Sequence, residues 1–515
     1  MTTTMPLPGL DIVWTPMPGP LPALTAAVSS AQLLSGCRGV RDSGGRLVSL
    51  WGEDRLDRLQ LCVVLDRGDQ LLLLEHALAY DAPTYPSISR IFPSAARLQR
   101  ATQDLVGLHA LGGDDRPWLR HAAWPSDACP LRNGPVDPAV AAAPPEPYPF
   151  VRVEGDGVHE IAVGPVHAGT IEPGHFRFSV VGEKVLRLEQ RLGYVHKGIE
   201  KRFEGLTLLE GVRLAARVSG DSAVAFAWAY AMAAEALTTT VAPPRALALR
   251  ALLLERERIA NHLGDLGALG NDAGLAFGLM QFSRLKEDLL RVNSDLWGAR
   301  YLMAAVVPGG LLLDLPTGGA PRLLESMTAL ESEVRVLRNI YDNHAGLQDR
   351  FMGTGHVAPE LAQRLGMTGL CARASGQVQD WRSALRMPPY DDCPVQAAVR
   401  TQGDVAARVA VRFDEVSSSL QVCRELLANL HAGEIRIPLG PLRAGELAIG
   451  GVEGWRGPVL VGLRVGADGR VLRCHPHDPS WHNWPALEHA IIDNIVPDFP
   501  LINKSFNLSY SGHDL

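Results

Sequence analysis

The chain has 515 residues, 46% of them hydrophobic and 20% charged, with a formal net charge of −7. That length exceeds what one hydrophobic core usually serves, so two or more domains are expected, and the ordinary composition excludes wholesale disorder. The mild acidity carries no electrostatic footprint for nucleic acid, which is not expected as a partner.

From the N-terminus, Met1-Thr-Thr-Thr-Met-Pro-Leu-Pro has neither the basic nor the apolar region of an export leader. No uninterrupted apolar run approaches the ~20 residues needed to span a bilayer, so membrane association is expected to go through partner subunits. Leu61-Cys-Val-Val-Leu65 and Gln70-Leu-Leu-Leu-Leu-Glu75 read as two strands of a hairpin, with Asp66-Arg-Gly-Asp69 as a tight turn. Residues 92–106 read as a helix, completing a small α+β domain over residues 1–135. Residues 136–150 are rich in Pro and Ala without helical or strand period, as expected of an inter-domain linker.

Residues 151–515 form the second expected domain. Residues 160–165 and 176–181 read as short strands joined by a loop containing His and Gly. Long helical patterns then dominate, over residues 223–237, 246–269, 275–302, 323–343 and 404–432. Residues 459–473 read as a hairpin turning at Ala467-Asp-Gly469. The fold class is therefore α+β, with a helix bundle at the centre of the larger domain and β-rich edges. Cys37, Cys62, Cys129, Cys371, Cys393, Cys423 and Cys474 are dispersed, with no C-x-x-C pair. Such a set fits reduced, buried thiols and gives no local scaffold for zinc or an iron–sulfur cluster.

Residues Gly164-Pro-Val-His-Ala-Gly-Thr-Ile-Glu-Pro-Gly-His-Phe-Arg-Phe178 and Gly193-Tyr-Val-His-Lys-Gly-Ile-Glu-Lys201 carry a resemblance to a known family. So do Glu257-Arg-Ile-Ala-Asn-His262, Val307-Pro-Gly-Gly310, Arg373-Ala-Ser-Gly376, Asp380-Trp-Arg382 and Glu453-Gly-Trp-Arg-Gly457. From residue 155 onward the chain resembles the large subunits of membrane-bound (group 4) [NiFe]-hydrogenases of the formate hydrogenlyase type and the large quinone-site subunit of complex I. The N-terminal part, through Tyr85-Pro-Ser-Ile-Ser-Arg-Ile-Phe-Pro93, resembles the smaller neighbouring subunit of complex I, here fused.

The departures bear on chemistry. In the hydrogenases, nickel and iron are held by cysteines in R-x-C-G-x-C and D-P-C-x-x-C motifs. Here these segments read Arg217-Val-Ser-Gly-Asp-Ser222 and Asn507-Leu-Ser-Tyr-Ser-Gly512, so the ligand positions are Ser219, Ser222, Ser509 and Gly512. Hard, protonated hydroxyls do not replace the soft thiolates that select nickel, so no NiFe centre is expected. The resemblance to complex I implies a quinone held between His175, supported by Asp272, and a tyrosine whose position is Gly220. Glu200 is expected to relay protons as a carboxylate of raised pKa, or else to be a solvated residue pairing with Lys197 or Lys201. Lys197 is expected to lie near an iron–sulfur cluster of the partner subunit. His175, Asp272 and Glu200 are thus the catalytic candidates, and His175, Asp272 and Lys197 the cofactor-binding ones. Glu453 and Arg456 are expected to form a structural salt bridge. His475 and His477, beside Cys474, are too few for a zinc site.

The function implied is a peripheral-arm subunit of a complex I-like, hydrogenase-related oxidoreductase, on the cytoplasmic side of the membrane. It would pass electrons to a quinone or similar acceptor within a hetero-oligomer that includes a small iron–sulfur subunit and membrane-arm subunits. The competing expectation is a redox-silent scaffold that couples a peripheral arm to ion-pumping subunits.

Overall fold

The computed structural model describes residues 11–120, 124–125, 127–132, 148–167, 171–393 and 395–515. The expected linker falls outside them, apart from residues 148–150.

The N-terminal part is built on a five-stranded sheet of order β1-β2-β5-β4-β3, with β1 Thr15–Pro16, β2 Ala23–Ala27, β3 Arg46–Asp54, β4 Leu59–Asp66 and β5 Leu71–Leu78. β4 and β5 are the expected hairpin, antiparallel from Leu59↔Leu78 to Asp66↔Leu71. Every residue of β4 is buried. The reason lies in the period of two along a strand. Leu61, Val63 and Leu65 join Leu33, Cys37 and Val40 of helix α1 (Ser30–Asp42) in one core. Cys62 and Val64 face the other way, into a core shared with the helix bundle. Helix α2 (Ala95–Val106) packs against β3.

A second sheet, β8-β7-β6, comprises β6 Val158–Val163, β7 His175–Val181 and β8 Lys184–Arg191. The bundle follows: α3 Ala223–Leu237, α4 Pro244–Asp272, α5 Ala276–Trp297, α6 Gly319–Asn343 and α7 Val405–Ala428. α3 is apolar except for Glu235, which pairs with buried Arg250, and it is wholly buried because it lies between the bundle and a third sheet of β9 Leu447–Glu453, β10 Pro458–Val465 and β11 Val471–His477. Gly450 permits this approach, since a Cβ there would strike the Ala229 carbonyl. Short helices α8 Ser480–Ala490, α9 Phe499–Phe506 and α10 Tyr510–Asp514 close the chain against β7 and β8. Among the described residues no helix is long and apolar enough to cross a membrane. Six of the seven cysteines are buried, and Cys129 is half-buried.

The shared motifs converge at the centre. Arg258 and His262 of α4, Arg373, Asp380, Arg382 and Glu453 meet Glu255 and Glu415 in one buried charge network. Arg373 binds Glu415 at 2.7 Å and Glu453 at 2.9 Å; Arg382 binds Asp380 at 2.6 Å and Glu255 at 3.0 Å; His262 Nε2 lies 2.8 Å from Glu415. Glu453 is therefore committed to Arg373, not to Arg456 as the sequence led one to expect. Buried ion-pair networks of this kind fix how elements meet, since any charge left unpaired in low dielectric is costly.

Candidate functional site

The two segments that replace the nickel-binding motifs come together. Ser219 lies within the turn before α3 and Ser509 caps α10, accepting the backbone N–H of Gly512 at 2.8 Å. Their hydroxyls lie 2.9 Å apart, and Ser219 also donates to Asp221 Oδ1 at 2.8 Å. Ser222 is buried beside them and lies 3.4 Å from Arg456 Nη1. At Gly512 an added Cβ would lie 2.9 Å from Ser509 Oγ and would press on Asp478.

Arg456 fills the space between these segments. It donates Nη1 to Asp221 Oδ1 at 2.8 Å, Nη2 to Asp221 Oδ2 at 2.6 Å and Nε to the Asn507 carbonyl at 2.6 Å. Burial alone would raise the Asp221 carboxyl, but Arg456 and the Ser219 hydroxyl draw it down to about 2. Asp478 accepts from Ser480 N at 2.8 Å through Oδ1, while its buried Oδ2 has no described partner. Burial raises its pKa, with Arg456 acting against that. Sequence reading missed both aspartates. The signal was an acid inside the first motif segment at Asp221; Asp478 had none.

A void of about 20 Å³, room for about one water, is lined by Gly220, Asp221, Glu257, Asn261 and Tyr301 among others. Glu257 accepts the first backbone N–H groups of α3, from Val224 at 2.7 Å and Ala225 at 3.2 Å. Burial dominates its pKa, and with Asp221 adding to it the carboxyl rises to about 8.

The structure separates the expected His175–Asp272 pair. His175 opens β7, its Nδ1 lies 3.4 Å from the Gly164 carbonyl, and its ring sits 5.3 Å from Phe150. Its buried Nε2 has no hydrogen-bond partner among the described residues. Burial lowers its pKa, and although the Gly164 carbonyl opposes this, Arg177 and His167 add to it. In place of a carboxylate that would favour the imidazolium, burial and Arg177 disfavour it. Asp272 is the exposed last residue of α4; partial burial raises its pKa and Lys504 lowers it. No hydrogen bond or ion pair joins the two.

Glu200 differs from both of its expected roles. It is buried, accepts from Arg473 Nη2 at 2.8 Å and lies 2.7 Å from His475 Nδ1. Burial alone would raise its pKa, but Arg473 and His475 bring it down to about 2. It is a fixed anion rather than a carboxyl poised to exchange protons, and it pairs with neither Lys197 nor Lys201. Lys197 is exposed, and its backbone N–H reaches the Leu515 carbonyl at 2.9 Å. The acids that act on its ammonium are Glu172 and Asp514. Glu172, also unmarked in the sequence reading, ties the opening loop to the former ligand segment by accepting Ser511 N at 3.1 Å.

His475 is part of a buried group rather than a metal clip. Its Nε2 meets Ser49 Oγ at 3.0 Å, and Trp51 stacks on it at 4.8 Å. His477 packs 5.2 Å from His482. Among the described residues no cluster of three or more His, Cys, Asp or Glu is arranged to hold a metal ion.

Comparison with known proteins decides the family. Residues 26–135 match the family described as "Respiratory-chain NADH dehydrogenase, 30 Kd subunit", and residues 272–440 match the corresponding "49 Kd subunit". Formate hydrogenlyase subunit 5 of Escherichia coli (strain K12) is 31% identical, over 84% of this chain and 77% of that protein. The chain belongs to the family of hydrogenase and complex I large subunits. Within that family, the carbon monoxide-induced hydrogenase of Rhodospirillum rubrum is 30% identical over 68% of this chain and 97% of its own length. NADH-quinone oxidoreductase subunit 4 of Thermus thermophilus is 31% identical over 58% of this chain and 72% of its own. The two family matches lie one after the other, so this chain joins both complex I units in one polypeptide. The fold is shared with a chain of the membrane-bound sulfane sulfur reductase, described as an archaeal respiratory membrane complex, at a TM-score of 0.65 and 23% identity; the match covers 70% of this chain and 99% of that one. The positions that the motif resemblance assigns to nickel ligands are three hydroxyls and a glycine, hydrogen-bonded among themselves and to Asp221. That donor set does not fit a nickel–iron centre.

Proposed function

We propose that this chain is a peripheral-arm subunit of a membrane-bound, complex I-like oxidoreductase that works without a NiFe centre and passes electrons to a quinone or similar acceptor. The carrying observation is the former nickel cavity, where Ser219 and Ser509 bond to each other and Arg456 grips Asp221. On this reading the complex sits on the cytoplasmic side of the membrane. A small iron–sulfur subunit delivers electrons from a cluster near Lys197, and membrane-arm subunits provide the anchor. His175, whose buried Nε2 at the opening loop has no partner among the described residues, is the group that would meet the acceptor.

A second reading is a redox-silent scaffold that links a peripheral arm to ion-pumping subunits. What favours it is the small void beside Gly220, too small for a quinone ring, together with the use of the family's motif residues in a structural charge network.

Purified complex decides between them. Metal analysis should find no stoichiometric nickel, and stoichiometric nickel or hydrogen evolution would sink the nickel-free reading. In membranes carrying His175→Ala or Asp272→Asn, quinone-dependent electron transfer should slow, with complex assembly unchanged. Because the two residues share no partner, their effects should add. Full activity in an assembled double variant would leave the scaffold.

A further inference from the structure

A larger cavity, of about 140 Å³, opens between α5 and α6 and is floored by α4 and α7. Its walls are largely apolar: Ile259, Leu289, Val292, Met327, Leu330 and Leu420. Four lining residues are polar: Asp288, Ser326 and Glu333, and Arg256 of α4, which is 1% exposed and pairs with no carboxylate among the described residues.

Arg256 donates Nε to Asn293 Oδ1 at 2.6 Å and Nη2 to the Leu289 carbonyl at 3.2 Å, while Nη1 donates to no described residue. Burial lowers its pKa to about 10, with only the Cys423 thiol acting the other way. Buried Arg408 makes the contrast clear. It too lacks a carboxylate, but its three nitrogens donate to Ser505 Oγ, the Gly403 carbonyl and the Gly355 carbonyl, each at 2.8 Å. The acids at the cavity mouth, Asp288 and Glu333, both engage Arg284, Asp288 at 3.2 Å. Arg256 is therefore a buried cation without a carboxylate partner among the described residues, lining a largely apolar cavity. Such a charge is costly unless an anion meets it, and a guanidinium–carboxylate bond formed out of water is among the stronger polar contacts.

We propose that this cavity binds an organic anion, a carboxylate on a compact apolar body, with the carboxylate on Arg256 Nη1 and the body against Leu289, Met327, Leu330 and Leu420. The site stands on this geometry alone and does not depend on the reading of the former nickel cavity. A free short-chain acid and a fatty acid drawn from a membrane share the chemistry.

The test uses the full chain and two probes of equal length, octanoate and octanol, with binding followed by calorimetry. Octanoate should bind saturably and about tenfold or more tighter than octanol. Arg256→Gln should abolish that preference. Ala329→Trp, at an exposed position on the cavity mouth, should weaken octanoate binding even if the Arg256 variant fails to fold. Recruitment to phosphatidylcholine vesicles only when they contain oleic acid would identify the membrane as the source; octanoate binding without recruitment would identify a free acid. Equal binding of the two probes, a preference that survives Arg256→Gln, or octanoate binding unaffected by Ala329→Trp would overturn the proposal.

Discussion

Arg456 and Asp221 form a two-point ion pair, at 2.8 Å and 2.6 Å, inside the space that the hydrogenases of this family give to metal. A fixed planar fork matches a carboxylate through two parallel bonds, so the pair both neutralises and closes the cavity. The segments around Asp221 and Asn507 are thereby held by charge and hydrogen bonding.

Breaking this pair should loosen the fold locally. Arg456→Ala should cost about 2 kcal/mol, less than the ~3–5 of a fully enclosed pair because the partner carboxylate is partly hydrated. Asp221→Asn should cost less, since it keeps one acceptor. The Asp221 carboxyl is lowered to about 2. Its contribution is therefore present above the unfolded value near pH ~4 and is lost as pH falls through the folded value. Urea unfolding of parent and Asp221→Asn should converge in acid. Curves that stay parallel at all pH values would mean that the Asp221 charge contributes nothing to stability.

Glu257 should show the opposite dependence. Its folded pKa, about 8, is raised, so the fold favours the protonated acid and loses stability as pH rises from the unfolded value towards the folded one. Glu257→Gln keeps an acceptor for the α3 N–H groups and removes the charge. The variant should gain on the parent by up to ~1.4 kcal/mol per pH unit across that window. Thermal unfolding at several pH values reads the gain directly, and a variant that is uniformly less stable would contradict it.

The buried histidines should make the protein acid-sensitive before any carboxylate does. Burial lowers the pKa of His475, His477, His482 and His513, that of His482 to about 4. A lowered histidine pKa means that the unfolded chain binds the extra proton first. Stability is then full above about pH 6.5 and falls as pH drops below it, by up to ~1.4 kcal/mol per unit for each histidine. Urea midpoints should decline between neutral and mildly acidic pH, and His482→Gln should reduce the slope. A flat profile over that range would show that these rings already carry their protons in the fold.

Much of the architecture was legible in the chain itself. The run from Ala223 to Leu237 read as a helix from its residue pattern, and that helix has those ends in the structure. The apolar runs flanking Asp66-Arg-Gly-Asp69 specified a hairpin because strand runs and turn chemistry are local properties. The four ligand positions at Ser219, Ser222, Ser509 and Gly512 were readable for the same reason: residue type alone decides whether a soft ligand is present. Tertiary structure alone decided what occupies the space they left. Asp221 and Arg456 lie far apart in sequence, as do Glu200 and Arg473, and no local pattern records which charges will meet. His175 and Asp272 show the reverse case, two residues tied by family resemblance that the fold keeps apart. Ion pairs and pKa shifts depend on distance and burial, and those are fixed only when separate elements pack together.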